Sequence, residues 1–293
     1  MTVPRRRSAG YPWYHDPRNL SPPAHTEHYG PMRPIDEQTI LITGATDGLG
    51  RALAAELAVE GATVLVHGRD DRRGKATLQE IGGRASWYRA DLSSLAEVRA
   101  LAEAVRADHP RLDVLVNNAG IGGGGPRTES ADGHELHFAV NYLSGYLLTR
   151  LLLPTLVASA PSRIVNVSSL GQTALDFDDV MITRGYSGSR AYCQSKLAQV
   201  MFTIDLAAEL AGTGVTANSL HPATYMPTKM VASPISTLEE GVRATHRLVA
   251  DPSLDDVSGR FFNGLKESRA DDQAYDPDAR ARLRTLSDDL TNP

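Results

Sequence analysis

From Ile40 onward the chain alternates short apolar, β-branched runs with stretches of helical period, a pattern few architectures accommodate. The runs are TILIT, ATVLVHG, ASWYRAD, LDVLVNNAG, SRIVNVSS and GVTANSLHP, separated by helical stretches such as Arg51 to Glu60 and Leu95 to Asp108. Strand and helix in strict alternation predict an α/β fold, a doubly wound parallel sheet with helices on both faces. At 293 residues two domains are possible, but α/β sheets of about 250 residues often form one. No internal repeat interrupts the alternation, so a single domain is expected over 38–293, with residues 1–37 as an irregular N-terminal arm. In such sheets ligands bind at the carboxyl ends of the strands.

The first of those ends reads TGATDGLG, residues 43–50, with Gly44, Gly48 and Gly50 where a strand turns into a helix. Glycine relieves the backbone of a tight turn. It also lets a phosphate approach the unpaired N–H groups of a helix N-terminus. The motif alone leaves both readings open.

Composition narrows the partners. The chain is 41% hydrophobic and 22% charged, with a net charge of −5, which gives no reason to expect nucleic acid or an anionic membrane. A lone cysteine, Cys193, suits a reducing compartment. No apolar run of membrane-spanning length and no signal-peptide core is visible, so a cytoplasmic protein is expected. The run Arg5, Arg6 and Arg7 reads as solvated. His15, His25 and His28 lack the spacing of metal ligands, and no metal is expected. Gly122 to Gly125 reads as low complexity.

Further motifs follow in order: Asp91-Leu92 after the third run, NNAG at 117–120 after the fourth, Asn141, Ser168-Ser169 after the fifth, and YCQSK at 192–196. Together with the G-xxx-G-x-G spacing, these resemble the short-chain dehydrogenase/reductase superfamily over about residues 38–289. The resemblance implies a Rossmann-like fold and hydride transfer between a nicotinamide cofactor and a carbonyl or alcohol carbon. Tyr192 and Lys196 stand four apart on a helix and so share a face. A nearby ammonium and a positively charged nicotinamide are expected to favour the phenolate and make Tyr192 a general acid/base. By resemblance, Ser169 hydrogen-bonds the substrate oxygen, Lys196 also holds the nicotinamide ribose, and Asn141 orders a water. Cofactor contacts are implied for Gly44, Thr46, Asp47, Gly48, Leu49, Gly50, Asp91, Leu92, Asn118, Ala119, Gly120, Tyr192, Lys196, Pro222 and Thr224. Ser168, Cys193 and His221 read as structural. Ala223 stands where the family commonly has glycine, which puts the path of that loop in question.

At the end of the second run the family's NAD-binding acid is replaced by Gly68, followed by Arg69. A guanidinium suits a 2′-phosphate, so NADP(H) is expected, with NAD(H) possible should Asp70 or Asp71 reach the ribose. An acid placed at Gly68 is expected to reverse the preference. The 22 residues between Ser169 and Tyr192, CQSK and the C-terminal tail resemble the retinol-dehydrogenase-like branch, which implies a lipophilic alcohol or carbonyl, with a hydrophobic or polyketide-like carbonyl equally open and retinol itself not implied. Met226 to Ile235 reads as a substrate lid or a plain surface loop. By resemblance, the helices Asn141 to Ser159 and Tyr192 to Leu210 pair copies into a homodimer or homotetramer. The alternative is a catalytically silent NADP(H)-sensing regulator of the same fold.

Overall fold

The computed structural model describes residues 29–227 and 233–292. Arg5 to Arg7, His15, His25, His28 and the middle of the expected lid, 228–232, lie outside the described residues. The strands are β1 Thr39–Ile42, β2 Thr63–Gly68, β3 Ala85–Arg89, β4 Val114–Asn117, β5 Ser162–Val167, β6 Val215–His221, β7 Phe261–Asn263 and β8 Lys266–Ser268. The helices are α1 Gly48–Val59, α2 Asp71–Ile81, α3 Leu95–Asp108, α4 Ser144–Ala158, α5 Gly188–Glu209, α6 Leu238–Ala250 and α7 Pro277–Thr291.

All strands pair in one sheet in the order β3-β2-β1-β4-β5-β6-β7-β8. Pairing is parallel except for β8, which runs back against β7. This antiparallel edge is an addition to the expected parallel sheet, made by the short turn Asn263-Gly264-Leu265-Lys266. Successive side chains of a strand point to opposite faces, and the apolar runs therefore feed two cores. Ile40, Ile42, Val64, Val66, Val114 and Val116 meet α1 and α6 on one face. Leu41, Leu65 and Leu115 meet α3, α4, α5 and α7 on the other. The chain winds from β1 outward to β3, then crosses back to β4 on β1's other side. That reversal leaves a crevice at the carboxyl ends of β1 and β4.

The expected pairing helices are largely covered within the chain. On α4 only Pro154 and Ala158 are exposed, and on α5 only Ser189 and Ala208. C-terminal α7 supplies part of this cover: Tyr142, just before α4, shares a hydrogen bond with Ser287 (2.6 Å), Tyr146 donates to Asp288 (2.5 Å), and Arg284 pairs with Asp205 (3.4 Å). Residues 29–37, part of the expected irregular arm, are tied to the domain. The Tyr29 ring packs on Gly214, and Gln38 donates to the Arg33 carbonyl (2.6 Å).

Candidate active site

The glycine turn is closed by polar side chains that leave the helix end open. Gly44 has φ +67°, and a Cβ there would lie 2.9 Å from the Ala119 Cα. A Cβ on Gly50 would lie 2.5 Å from both Asn118 Nδ2 and Gly44 O. Asn118 is the latch: its amide donates to the carbonyls of Thr43 (2.8 Å) and Gly44 (3.3 Å). Thr43 Oγ1 accepts from the N–H groups of Asn118 and Ala119, both at 3.0 Å. Asp47 caps α1 by accepting from Gly48 N–H (2.9 Å). The N–H groups of Leu49 and Gly50 meet no acceptor among the described residues. Free helix N–H groups beside a strand crossover fit the pyrophosphate of a dinucleotide.

At the end of β2, Arg69 is exposed and lies near Asp91, whose carboxyl is held below its ordinary range against the cost of burial by hydrogen bonds from Ser93, with Arg69 and Arg89 adding smaller support. The rival carboxylates are engaged elsewhere. Asp70 caps α2 through Arg73 N–H (3.0 Å), and Asp71 accepts from Trp87 Nε1 (2.9 Å). Gly68 has no room for the acid that sequence reasoning proposed there, since a Cβ would lie 2.8 Å from Thr46 Cγ2 and 3.1 Å from Trp87. Leu92 is buried beside this end of the sheet.

The second group of expected residues converges at the ends of β4 and β5. The Tyr192 ring and the Ser169 side chain both lie against Gly171, with Ser169 near enough to lower the Tyr192 phenol, and Ser169 Oγ accepts from Gly171 N–H (3.0 Å). Lys196 is buried, with Nζ donating to the Val167 carbonyl (3.0 Å) and Gln199 Oε1 (2.9 Å) and lying 5.8 Å from the Tyr192 ring centre. Burial pushes the Lys196 ammonium down to about 7. It pushes the Tyr192 phenol up, partly offset by Ser169. In the cofactor-free site burial is the largest influence on the Tyr192 phenol and keeps it protonated.

Asn141 lies on a π-helical turn, Phe138–Leu143, leading into α4, a geometry frequent at functional sites. Its Oδ1 accepts from Ile121 N–H (2.7 Å), and its Nδ2 donates to Ile121 O (3.2 Å) and Ser195 Oγ (2.9 Å). Its side chain thus holds both the Ile121 backbone and the Ser195 hydroxyl. Gly120 lies against both key groups, as a Cβ there would be 3.3 Å from Asn141 Oδ1 and 3.4 Å from Lys196 Nζ. Ser168 donates to the Lys196 carbonyl (2.7 Å), and Cys193 lies behind Ser169 beside Gly171.

Beyond β6, Pro222 is buried and His221 Nε2 meets Thr224 Oγ1 at 3.0 Å. Burial lowers the His221 imidazole to about 4. Ala223 does not need the positive φ that glycine would have offered. Tyr225 takes it instead, at φ +50°.

Several supporting residues escaped the sequence reading. His67 accepts from Gly44 N–H at Nδ1 (3.2 Å) and donates from Nε2 to Ala90 O (3.1 Å), tying the glycine turn to β3. Burial holds its imidazole neutral, lowered to about 4. Gln199 is the side-chain acceptor for Lys196, three residues further along α5; that spacing was its only signal. Within the Gly122–Gly125 run it is Gly123 that packs closely: a Cβ there would lie 2.9 Å from the Tyr192 Cβ and 3.0 Å from Gly188 O.

The profile of the family described as short chain dehydrogenase matches residues 38–238. The chain is a short-chain dehydrogenase/reductase. Retinol dehydrogenase 13 of Homo sapiens is 38% identical over 85% of this chain and 83% of its own length. Retinol dehydrogenase 14 of Mus musculus is 36% identical over 92% of this chain and 91% of its own. The chain thus belongs to the retinol-dehydrogenase-like branch of the family. Among solved structures, an uncharacterized protein from Mycobacterium Paratuberculosis superposes with a TM-score of 0.74 at 30% identity, covering 91% of this chain and 96% of that one. A protein from Beutenbergia cavernae described as an NAD(P) dependent gluconate 5-dehydrogenase, with NADP bound at low occupancy, gives 0.64 at 31% identity, covering 79% and 97%. The short-chain enzyme described here is an NAD(P)-dependent dehydrogenase/reductase acting on alcohol or carbonyl groups.

Proposed function

We propose that this enzyme uses NADP(H) to interconvert a lipophilic carbonyl compound and its alcohol, with Tyr192 as general acid/base. The observation that carries the reading is the half-buried Tyr192 phenol lying with Ser169 against Gly171 at the carboxyl ends of the strands, the end of the sheet where the N-terminus of α1 is open. The two hydroxyls offer paired donors to one substrate oxygen. Bound NADP(H) supplies or takes the hydride. Tyr192, kept protonated by burial, gives its proton to the oxygen as the alcohol forms and takes it back in the reverse direction. Lys196, lowered to about 7, accepts and releases a proton near neutrality and can reset Tyr192. Asn141 holds Ile121 and Ser195, and so the wall around these groups.

The proposed cofactor residues are the glycine turn from Gly44 to Gly50, with Thr46, Asp47, Gly48 and Leu49, then Arg69, Asp91, Leu92, Asn118, Ala119, Gly120, Tyr192, Lys196, Pro222 and Thr224. NADP(H) is favoured because Arg69 is exposed while Asp70 and Asp71 are engaged within the protein. A lipophilic substrate is supported by exposed apolar residues next to the site: Leu170 follows Ser169, and Tyr225 follows Thr224 and bonds Ile235 (3.0 Å). The segment 226–235 then serves as the lid, and 38–293 as the catalytic domain.

No described helix is long and apolar enough to cross a membrane. We assign a cytoplasmic site of action on composition and the lone Cys193. Self-association into a homodimer or homotetramer is proposed to involve α7, which covers much of α4 and α5. The functional test is loss of NADPH absorbance against long-chain aldehydes, ketones and retinal. Turnover with at least one lipophilic carbonyl supports the reading, and none across the panel contradicts it.

A further inference from the structure

His137 and Glu135 form a buried titratable pair outside the reacting groups. Glu135 Oε1 accepts from His137 Nδ1 (2.8 Å) and from the Tyr186 hydroxyl (3.2 Å), while Oε2 accepts from Phe138 N–H (2.7 Å). A carboxylate met by three donors is ionised. The other ring nitrogen, His137 Nε2, lies 2.7 Å from the Gly122 carbonyl oxygen. Both imidazole nitrogens thus face acceptors, and only the doubly protonated ring can donate to both.

The two residues that grip this loop stand one helical turn apart. Asn141 holds Ile121, and His137 holds Gly122. The next residue, Gly123, packs against the Tyr192 Cβ. Tyr186 brings in the stretch between Ser169 and Tyr192, with its oxygen also 3.2 Å from His137 Nδ1. We propose that His137, held as an imidazolium by Glu135, is a positioning residue that fixes the 120–125 loop and the 170–187 stretch as one wall of the substrate site, and that the wall loosens when the ring loses a proton.

The sign follows from the hydrogen bonds. A neutral ring keeps its proton toward Glu135 and turns a lone pair on the Gly122 oxygen, so the contact becomes repulsive. Hydrogen bonds to Glu135 and Gly122 raise the His137 imidazole against the opposing cost of burial, and the same pairing lowers Glu135. The ordered wall is therefore present at lower pH and lost as pH rises through the raised value. The other groups facing the pair are Tyr186 and, beyond it, Arg127, which pairs with Glu129 (2.7 Å); Met181 offers its sulfur to Glu135 N–H.

The proposal rests on the oxidoreductase reading for its consequence, but its first test does not need turnover. Hydrogen exchange of the intact cofactor-free chain is followed over residues 119–126 from about pH 6 to about pH 10, corrected for the intrinsic pH dependence of exchange. The expected result is about tenfold faster exchange above a single titration in wild type. His137→Gln, an uncharged donor to Gly122, should show no such step, and Glu135→Gln should move it to lower pH. A pH-independent wild-type profile, or the same step in His137→Gln, overturns the proposal. With a lipophilic aldehyde from the panel, the substrate KM of wild type should rise through the same step while the NADPH Kd stays constant; a constant substrate KM overturns the positioning role. Failure of every aldehyde would count against the oxidoreductase reading and leave the exchange result to decide this one.

Discussion

The nucleotide end and the catalytic end of the crevice are built in different ways. Around Gly44 to Gly50 the polar side chains of Thr43, His67 and Asn118 are used on nearby backbone, which closes the turn and leaves α1's N–H groups facing outward. Around Tyr192 the important groups are titratable side chains shifted by desolvation, the half-buried Tyr192 and the buried Lys196, the latter held by segments as distant as Val167 and Gln199. The first end presents a rigid backbone surface. The second maintains protonation states that water would not. Substitutions at the two ends should accordingly fail in different quantities.

The largest effect is expected at the catalytic end, where Tyr192→Phe removes the proton donor and should lower kcat by about 10²-fold to 10⁴-fold with the NADPH Kd nearly unchanged. At the nucleotide end the reverse is expected. Arg69→Ala should weaken NADPH by about 1.5 to 3 kcal/mol, the value of a charge-assisted hydrogen bond, while NADH is barely affected. Fluorescence titration of both reduced cofactors checks this, and equal weakening of both would remove the distinction. Gly68→Asp is the poorer probe because its Cβ collides with Thr46.

Stability sharpens the contrast further. Lys196 falls from 10.5 to about 7 on burial, so the cofactor-free fold loses stability as pH drops through that window and no more below it. Lys196→Met should cost activity yet raise Tm relative to wild type, with the gap widening as pH falls from alkaline toward neutral. A gap independent of pH would show that the ammonium carries no desolvation cost. Smaller again is Ser287→Ala, which leaves the buried Tyr142 hydroxyl without its partner and should cost about 1 to 3 kcal/mol in denaturant unfolding. Cofactor affinity should not respond. If that substitution also shifts the mass seen by light scattering, α7 is part of the assembly surface as well as its cover.

The same contrast explains what could be read in the sequence. The strand and helix order from Ile40 and the glycine turn depend on short-range pattern, and the structure has them where the pattern puts them. The edge strand β8 was not legible, because its three residues Lys266–Ser268 carry no apolar period. Neither was the cover that α7 lays on α4, since that contact joins Tyr142 to Ser287 across the length of the domain. Tyr192 and Lys196 were singled out by their helical spacing and Ser169 by the family resemblance, and the structure brings Ser169 and Tyr192 together at Gly171. The protonation of Tyr192 and Lys196 was not legible, because it depends on burial and on Gln199 and Val167, which no motif marks. Ala223 looked like a departure that could redirect its loop, but the strained angle falls at Tyr225.

The central claim is that Tyr192 supplies the proton for a hydride transfer whose cofactor it does not bind strongly. Single-turnover oxidation of prebound NADPH by a lipophilic aldehyde, in wild type and Tyr192→Phe at equal cofactor saturation, tests it most directly. The account predicts rapid loss of nicotinamide absorbance in wild type and a rate lower by about 10²-fold or more in the variant. A variant rate within about threefold of wild type would contradict it, since a positioned acid contributes far more than that.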